Sequence, residues 1–173
     1  SLRRQRQMCI RDRAGSCEGG VTIRGAVTVG NGTRVAAGCY LQGPLSIGNG
    51  CRIGPNSVLG PSTTIGDGVE IGTHCEITDT LVMDSTTIDS FTHLQACVIG
   101  EGSDLGAHVI ALPGPDEATY LQSQHSVIDR GAMVGDGCRI GDRAVLKGGC
   151  VLWRNASVDD GETVNGEFPA RDN

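Results

Sequence analysis

The chain has 173 residues, enough for one domain with a sizeable core, and no apolar run approaches the ~18 residues that span a bilayer. With 27 glycines but only two Phe, two Tyr and one Trp, that core has to be aliphatic. A net charge of −6 conceals a basic N-terminus on an acidic body. Beyond residue 13, nine basic residues face nineteen acidic ones, which argues against nucleic acid or an anionic membrane as partner.

Residues 1–13 carry Arg3, Arg4, Arg6, Arg11 and Arg13 against a single acid, Asp12. No apolar h-region follows them, so they are not a secretory signal, and the expected location is the cytoplasm. The stretch lacks periodicity and stops abruptly at Ala14. It reads as a non-native or disordered tail rather than a nucleic-acid arm.

From Ile23 onward every sixth residue is aliphatic or Met: Ile23, Val29, Val35, Leu41, Ile47, Ile53, Leu59, Ile65, Ile71, Ile77 and Met83. A second strict series runs Ile128, Val134, Ile140, Leu146, Leu152, Val158 and Val164. Between them the spacing slips by one residue twice, through Ile88, Leu94, Ile99 and Leu105. Helices repeat every three or four residues and half-buried strands every two, so a period of six is neither. It fits short flat strands joined by tight corners, three to a triangular coil, and about seven coils. Pairs such as Asn49-Gly50 and Asp67-Gly68 supply the positive φ that sharp corners need.

The position two before each aliphatic residue is small or medium-sized and also points inward. It includes Leu81 and six of the eight cysteines: Cys39, Cys51, Cys75, Cys97, Cys138 and Cys150. Buried free thiols acting as small hydrophobes are expected there, which implies a reducing compartment.

Residues 112–126 break the period and read as a loop projecting from the solenoid, either the wall of an acceptor site or a surface insertion. The expected organisation is thus a tail (1–13), an all-β, single-stranded parallel β-helix (14–166) and a C-terminal tail (167–173).

Residues 38–72, GCYLQGPLSIGNGCRIGPNSVLGPSTTIGDGVEIG, with DTLVMDSTTID at 79–89 and VIGEGSDLGAHVI beyond, resemble a known domain. It is the C-terminal left-handed β-helix of sugar-1-phosphate nucleotidylyltransferases, most closely the archaeal-type bifunctional enzymes with glucosamine-1-phosphate N-acetyltransferase activity. The resemblance implies left-handed winding, although handedness rules favour right-handed crossovers. It also implies a homotrimer packed through the β-helix faces, acetyl-CoA between subunits, and a preceding nucleotidyltransferase domain. An ungapped alignment puts Ser90 at the position of the family's catalytic histidine. The substrate-binding arginine, the lysine and the two asparagines of that family fall on Gly60, Thr78, Asp104 and Pro113. The expected role is therefore mainly structural and oligomerising, within a transferase of nucleotide-sugar biosynthesis.

The alternative is an acetyl-CoA-dependent acyltransferase with a changed acceptor site. Its candidate bases are His93 and His108, with Ser90 at the family's catalytic position. Lys147, Trp153 and Arg154 would meet the CoA phosphates and adenine. A remoter alternative is a γ-carbonic-anhydrase-like metal enzyme, which needs three histidines on one Zn²⁺ at about 2.0–2.1 Å. His74, Phe91 and His108 each stand three residues past a ladder position and form one corner column. Its two histidines are about 9–10 Å apart, two rung spacings, so no metal site within one chain is expected.

Overall fold

The structure, a computed structural model, describes residues 10–13, 15–114 and 130–169. Regular structure among them is β-strand throughout, and no described helix is long and apolar enough to cross a membrane. Parallel strands two to four residues long stack into three sheets, nine strands on one and eight on each of the others. Each successive strand joins the next sheet, so the chain winds as a left-handed β-helix of about eight coils. Face A includes Val27–Val29, Leu45–Ile47, Thr63–Ile65 and Leu81–Val82. Face B includes Arg34–Val35, Arg52–Ile53, Glu70–Ile71 and Thr87–Ile88. Face C includes Tyr40–Gln42, Val58–Leu59, Glu76–Thr78 and His93–Gln95. Two further strands of face A, Ile10–Arg13 and Glu167–Phe168, lie in stretches that the sequence suggests are tails.

One residue of each short strand points into the triangular core, because side chains alternate along a strand. The ladders are continuous: Ile47, Ile65 and Val82 stack on face A, Ile53, Ile71 and Ile88 on face B, and Leu59, Ile77 and Leu94 on face C, all at most 4% exposed. At several corners a glycine precedes the turn because the coils approach there without side chains. A Cβ on Gly48 would come within 2.5 Å of the Gly66 carbonyl oxygen.

The six-residue register corrects one expectation. Val82, not Met83, continues the ladder; Thr80 takes the inner corner position, while Leu81 and Met83 stand outside, each 38% exposed. The slip thus falls between Ile77 and Val82, one strand earlier than the hydrophobic pattern suggests. Asp79 turns that corner in the left-handed region at φ 50°, and Ala96 does the same at φ 54° for the second slip. Each shortens its coil to seventeen residues, as the pairings Thr64↔Leu81 and Leu81↔Val98 record. Polar chemistry at the corner outweighs the hydrophobicity of Leu81, because the Thr80 hydroxyl donates to the Thr78 carbonyl at 2.7 Å.

Thr80, whose hydroxyl donates within its own corner, is a variant of a wider rule that size alone does not reveal. The inner corner residue donates to a carbonyl on the next coil: Thr33 Oγ1 to Gly48 at 2.6 Å, Ser57 Oγ to Gly72 at 2.9 Å, Cys51 Sγ to Gly66 at 3.0 Å. The same hydroxyls accept from above, with Cys51 N–H on Thr33 at 3.0 Å and Cys75 N–H on Ser57 at 3.1 Å. Ser, Thr and Cys interchange here because each has one short donor. Thr33→Val keeps the shape and deletes the hydroxyl, so a buried carbonyl and amide lose their partner. It is expected to cost about 1–3 kcal/mol in urea-unfolding stability.

The six cysteines expected in this register are all buried and unpaired. Cys17 is half-buried, and Cys9 lies outside the described residues. Of the loop expected over 112–126, residues 115–126 lie outside the described residues, as does the ladder residue Ile128. Its base is a bridge between Gly114 and Arg130 at the corner from face C to face A.

Candidate functional site

The corner from face B to face C carries the histidine column. His74, Phe91 and His108 occupy equivalent positions in three successive coils, all with left-handed φ between 54° and 62°. Their rings stack nearly parallel, with centroids 5.3 Å apart for His74–Phe91 and 5.0 Å for Phe91–His108. Phe91 is 49% exposed at its rim, but both of its faces are covered by imidazoles. The two histidines therefore stand on opposite sides of a phenyl ring and cannot converge on one ion within the chain. Among the described residues no group of three His, Cys, Asp or Glu side chains is placed to hold a metal.

Ser90, beside Phe91, is engaged in the backbone of the same corner. Its Oγ accepts from Thr73 N–H at 3.1 Å, and its own N–H donates to Asp89 Oδ1 at 2.6 Å. At the next coils Asp142 does the equivalent job for Ala107 N–H at 2.9 Å and Asp160 for Asp142 N–H at 2.9 Å. The hydroxyl at position 90 thus has a capping role within this corner.

His93 lies three residues after Ser90, where the chain enters face C, and is half-buried on the outer surface. Its rung partner below is Glu76, with Nε2 3.9 Å from Glu76 Oε2. Its partner above is Ile110, followed by Val145. The carboxylate is a group that the sequence pattern does not bring forward. It becomes visible only once this coil is known to be seventeen residues long.

Above His93 the outer surface of face C holds a depression of about 410 Å³. Ile110, Leu112, Gly114, Val145, Lys147 and Asn165 line it, so one ammonium sits at an otherwise largely apolar site beside the base of the loop. Face C thus carries the His93–Glu76 pair, and Lys147 follows its strand Val145–Leu146 two rungs above His93. It does not include Trp153 and Arg154, which lie beyond the strand Val151–Leu152 at the corner from face A to face B. Trp153 is 54% exposed, and Arg154 Nε is 3.6 Å from Asp136 Oδ2. The expected trio of CoA-contacting residues is divided between two corners of one coil.

The class defined by this geometry is a hexapeptide-repeat β-helix with its chemically equipped residues on one outer face. Residues 41–111 match the family described as the GMPPB C-terminal domain. Over 95 residues, 55% of this chain, it is 30% identical to the glucose-1-phosphate adenylyltransferase of Acetivibrio thermocellus. The chain spans about a fifth of that relative's length, 20%. The likeness to C-terminal domains of sugar-1-phosphate nucleotidylyltransferases, seen in residues 38–89, therefore holds over the central coils. Among solved structures, LpxA from Acinetobacter baumannii superposes with a TM-score of 0.51 at 17% identity, covering 95% of this chain and 67% of that one. The polysialic acid O-acetyltransferase OatWY superposes with a TM-score of 0.52 at 16% identity, covering 92% and 80%. At such identities the structural likeness shows the fold alone.

Proposed function

We propose that this β-helix is the C-terminal domain of a sugar-1-phosphate nucleotidylyltransferase-type protein of nucleotide-sugar biosynthesis, of the archaeal bifunctional kind, and that it mainly holds subunits together there. The observation that carries this reading is the 30% identity over 95 residues to a glucose-1-phosphate adenylyltransferase, beside the family match over residues 41–111. The preceding nucleotidyltransferase domain supplies the chemistry. Ser90 supports a structural role, since its hydroxyl caps a corner amide. Six protonated thiols in the core suit the reducing cytoplasm.

The interface proposed is face A, as a homotrimer. Its outer column is polar through Thr28, Ser46 and Thr64, then apolar through Leu81, Val98, Met133 and Val151. Met133 is 47% exposed in the single chain. Light scattering on the purified chain is expected to give three times the monomer mass, and a monomer for Leu81→Glu combined with Met133→Glu. A monomeric parent would refute the oligomerising role.

A second reading, an acetyl-CoA-dependent acyltransferase with a changed acceptor, is favoured by the depression around Lys147 on the face that carries His93 and Glu76. In it His93 is the base that takes the acceptor's proton, Glu76 orients its ring, and Lys147 meets a phosphate of the cofactor. Calorimetric titration with acetyl-CoA decides. Binding that weakens about tenfold or more in Lys147→Ala supports it. Absence of heat at millimolar ligand removes it and leaves the scaffold reading standing.

A further inference from the structure

The sequence contains three Asn-Gly pairs, Asn31-Gly32, Asn49-Gly50 and Asn165-Gly166, and each stands exposed at a corner. Such a pair can modify itself. The glycine nitrogen attacks the asparagine Cγ, and no Cβ on the glycine obstructs the approach. The reaction needs a side chain free to turn and an amide N–H free to lose its proton. Asn49-Gly50 meets neither condition. Asn49 Oδ1 accepts from Asn31 N–H at 2.8 Å, and its Nδ2 donates to both carboxylate oxygens of Asp67 at 3.2 and 3.3 Å. Gly50 N–H donates to the Asn31 carbonyl at 2.8 Å. Asn31 is intermediate, with its N–H and carbonyl tied by these bonds but its side chain held by none among the described residues. Asn165-Gly166 meets both conditions. Neither the Asn165 side chain nor the Gly166 N–H has a hydrogen-bond partner among the described residues. At earlier corners of this edge the coil beneath holds the equivalent N–H, that of Asp79 on the Pro61 carbonyl at 3.0 Å and that of Ala96 on the Thr78 carbonyl at 3.1 Å. The last corner loses this bond because it is short. Residues 147–150 separate Leu146 from Val151, whereas only Asn165 and Gly166 separate their rung partners Val164 and Glu167.

We propose that Asn165-Gly166 deamidates spontaneously in the folded protein, ahead of the other two pairs. Hydroxide takes the Gly166 amide proton, the nitrogen bonds to Asn165 Cγ, the Cγ–Nδ2 bond breaks and ammonia leaves. Water then opens the resulting succinimide at either carbonyl and gives aspartate or isoaspartate. Either product carries a carboxylate where a neutral amide stood. Asn165 and Lys147 line the same depression on face C, so the ammonium there acquires a counter-charge as the protein ages. Isoaspartate also lengthens the backbone by one methylene. The flanking strands Thr163–Val164 and Glu167–Phe168 are the last described strands of their sheets, so the added length falls at an end of the ladder rather than within it.

This site does not depend on the function proposed above, and its test needs no assay of activity. The whole folded chain is held in warm, mildly alkaline buffer and sampled by tryptic peptide mass spectrometry. The three pairs fall in separate tryptic peptides, residues 25–34, 35–52 and 155–171. A gain of about one dalton is expected first in 155–171, about tenfold or more faster than in 35–52, with 25–34 between them. In the chain unfolded by urea the protecting bonds are gone, and the three rates should agree within about twofold. Asn165→Gln keeps the amide but must close a larger ring, so its 155–171 peptide should stay unconverted over the same period. Its melting temperature should match that of the parent, because position 165 is exposed and its side chain holds nothing. Equal rates for 35–52 and 155–171 in the folded protein would overturn the proposal. So would a 155–171 peptide that converts only in urea. Aspartate without any isoaspartate would overturn the route through the Gly166 nitrogen.

Discussion

Ile65→Asp is expected to unravel the middle of the solenoid, whereas Thr64→Asp, one residue earlier, leaves it folded. Ile65 is 2% exposed and sits in the face A ladder between Ile47 and Val82, while Thr64 is exposed on the outer surface. Removing the aliphatic side chain forfeits about 1.5–3 kcal/mol of burial. The carboxyl that replaces it finds no donor inside the ladder, so even when protonated it adds roughly 1–3 kcal/mol. The combined loss of about 2.5–6 kcal/mol is a large part of the whole stability of many domains. In a solenoid each coil is held by its neighbours, so the damage is centred on the coils that flank the substitution. Urea unfolding followed by circular dichroism, with limited proteolysis to locate the opened coils, checks this. Equal midpoints for the two variants would mean that position 65 does not face the core.

The contrast between neighbouring positions explains why the fold was legible in the sequence. A six-residue period is a one-dimensional register, and each aliphatic residue in it states which side chain turns inward. The register also placed His74, Phe91 and His108 at one corner, where their rings stack. It failed where two kinds of inward residue competed. Hydrophobicity favours Leu81 and Met83 as the inner pair of their strand, but the corner there needs a short donor, and Thr80 supplies it. The corner at Asp79 is then one residue short while keeping the left-handed φ of the full-length corner at Ser62, so side-chain pattern alone does not announce the slip.

The candidate site was less legible because chain proximity and spatial proximity separate in this architecture. Six residues carry the chain from one face to the next. Lys147 and Trp153 are therefore near in sequence and on different corners, and a cofactor site assembled from residues 147–154 divides. Neighbours in space stand one coil apart instead, at a spacing of seventeen or eighteen residues, or thirty-five across the loop. Glu76 with His93, Arg34 with Arg52, and Ile110 with Val145 are such pairs. Each requires the coil length to be known locally, and two slips alter it within the stretch that contains the histidines.

The buried thiols make stability fall steeply in alkali, and Cys150→Ala is expected to reduce that fall. Burial pushes the thiols of Cys39, Cys51, Cys75, Cys97, Cys138 and Cys150 above their ordinary value of 9.0. Cys150 goes furthest, to about 12, chiefly through desolvation and secondarily because the Cys97 sulfur lies close by. In the unfolded chain these thiols ionise at their ordinary value, so above pH 9 the unfolded state holds fewer protons than the native one. Stability then falls with rising pH, by about 1.4 kcal/mol per pH unit for each thiol that ionises only on unfolding. Below pH 8 both states are protonated and this contribution is flat. Alanine suits position 150, since Ala132 fills the equivalent corner of the coil beneath and is fully buried. The variant should lose a little stability at pH 7.5, yet its urea midpoint should decline less between pH 9 and 11 than that of the parent. Tyr and Lys ionisation is common to both proteins and cancels in the difference. Parallel declines would show that Cys150 ionises in the folded protein, and with it that the coil above the loop admits water.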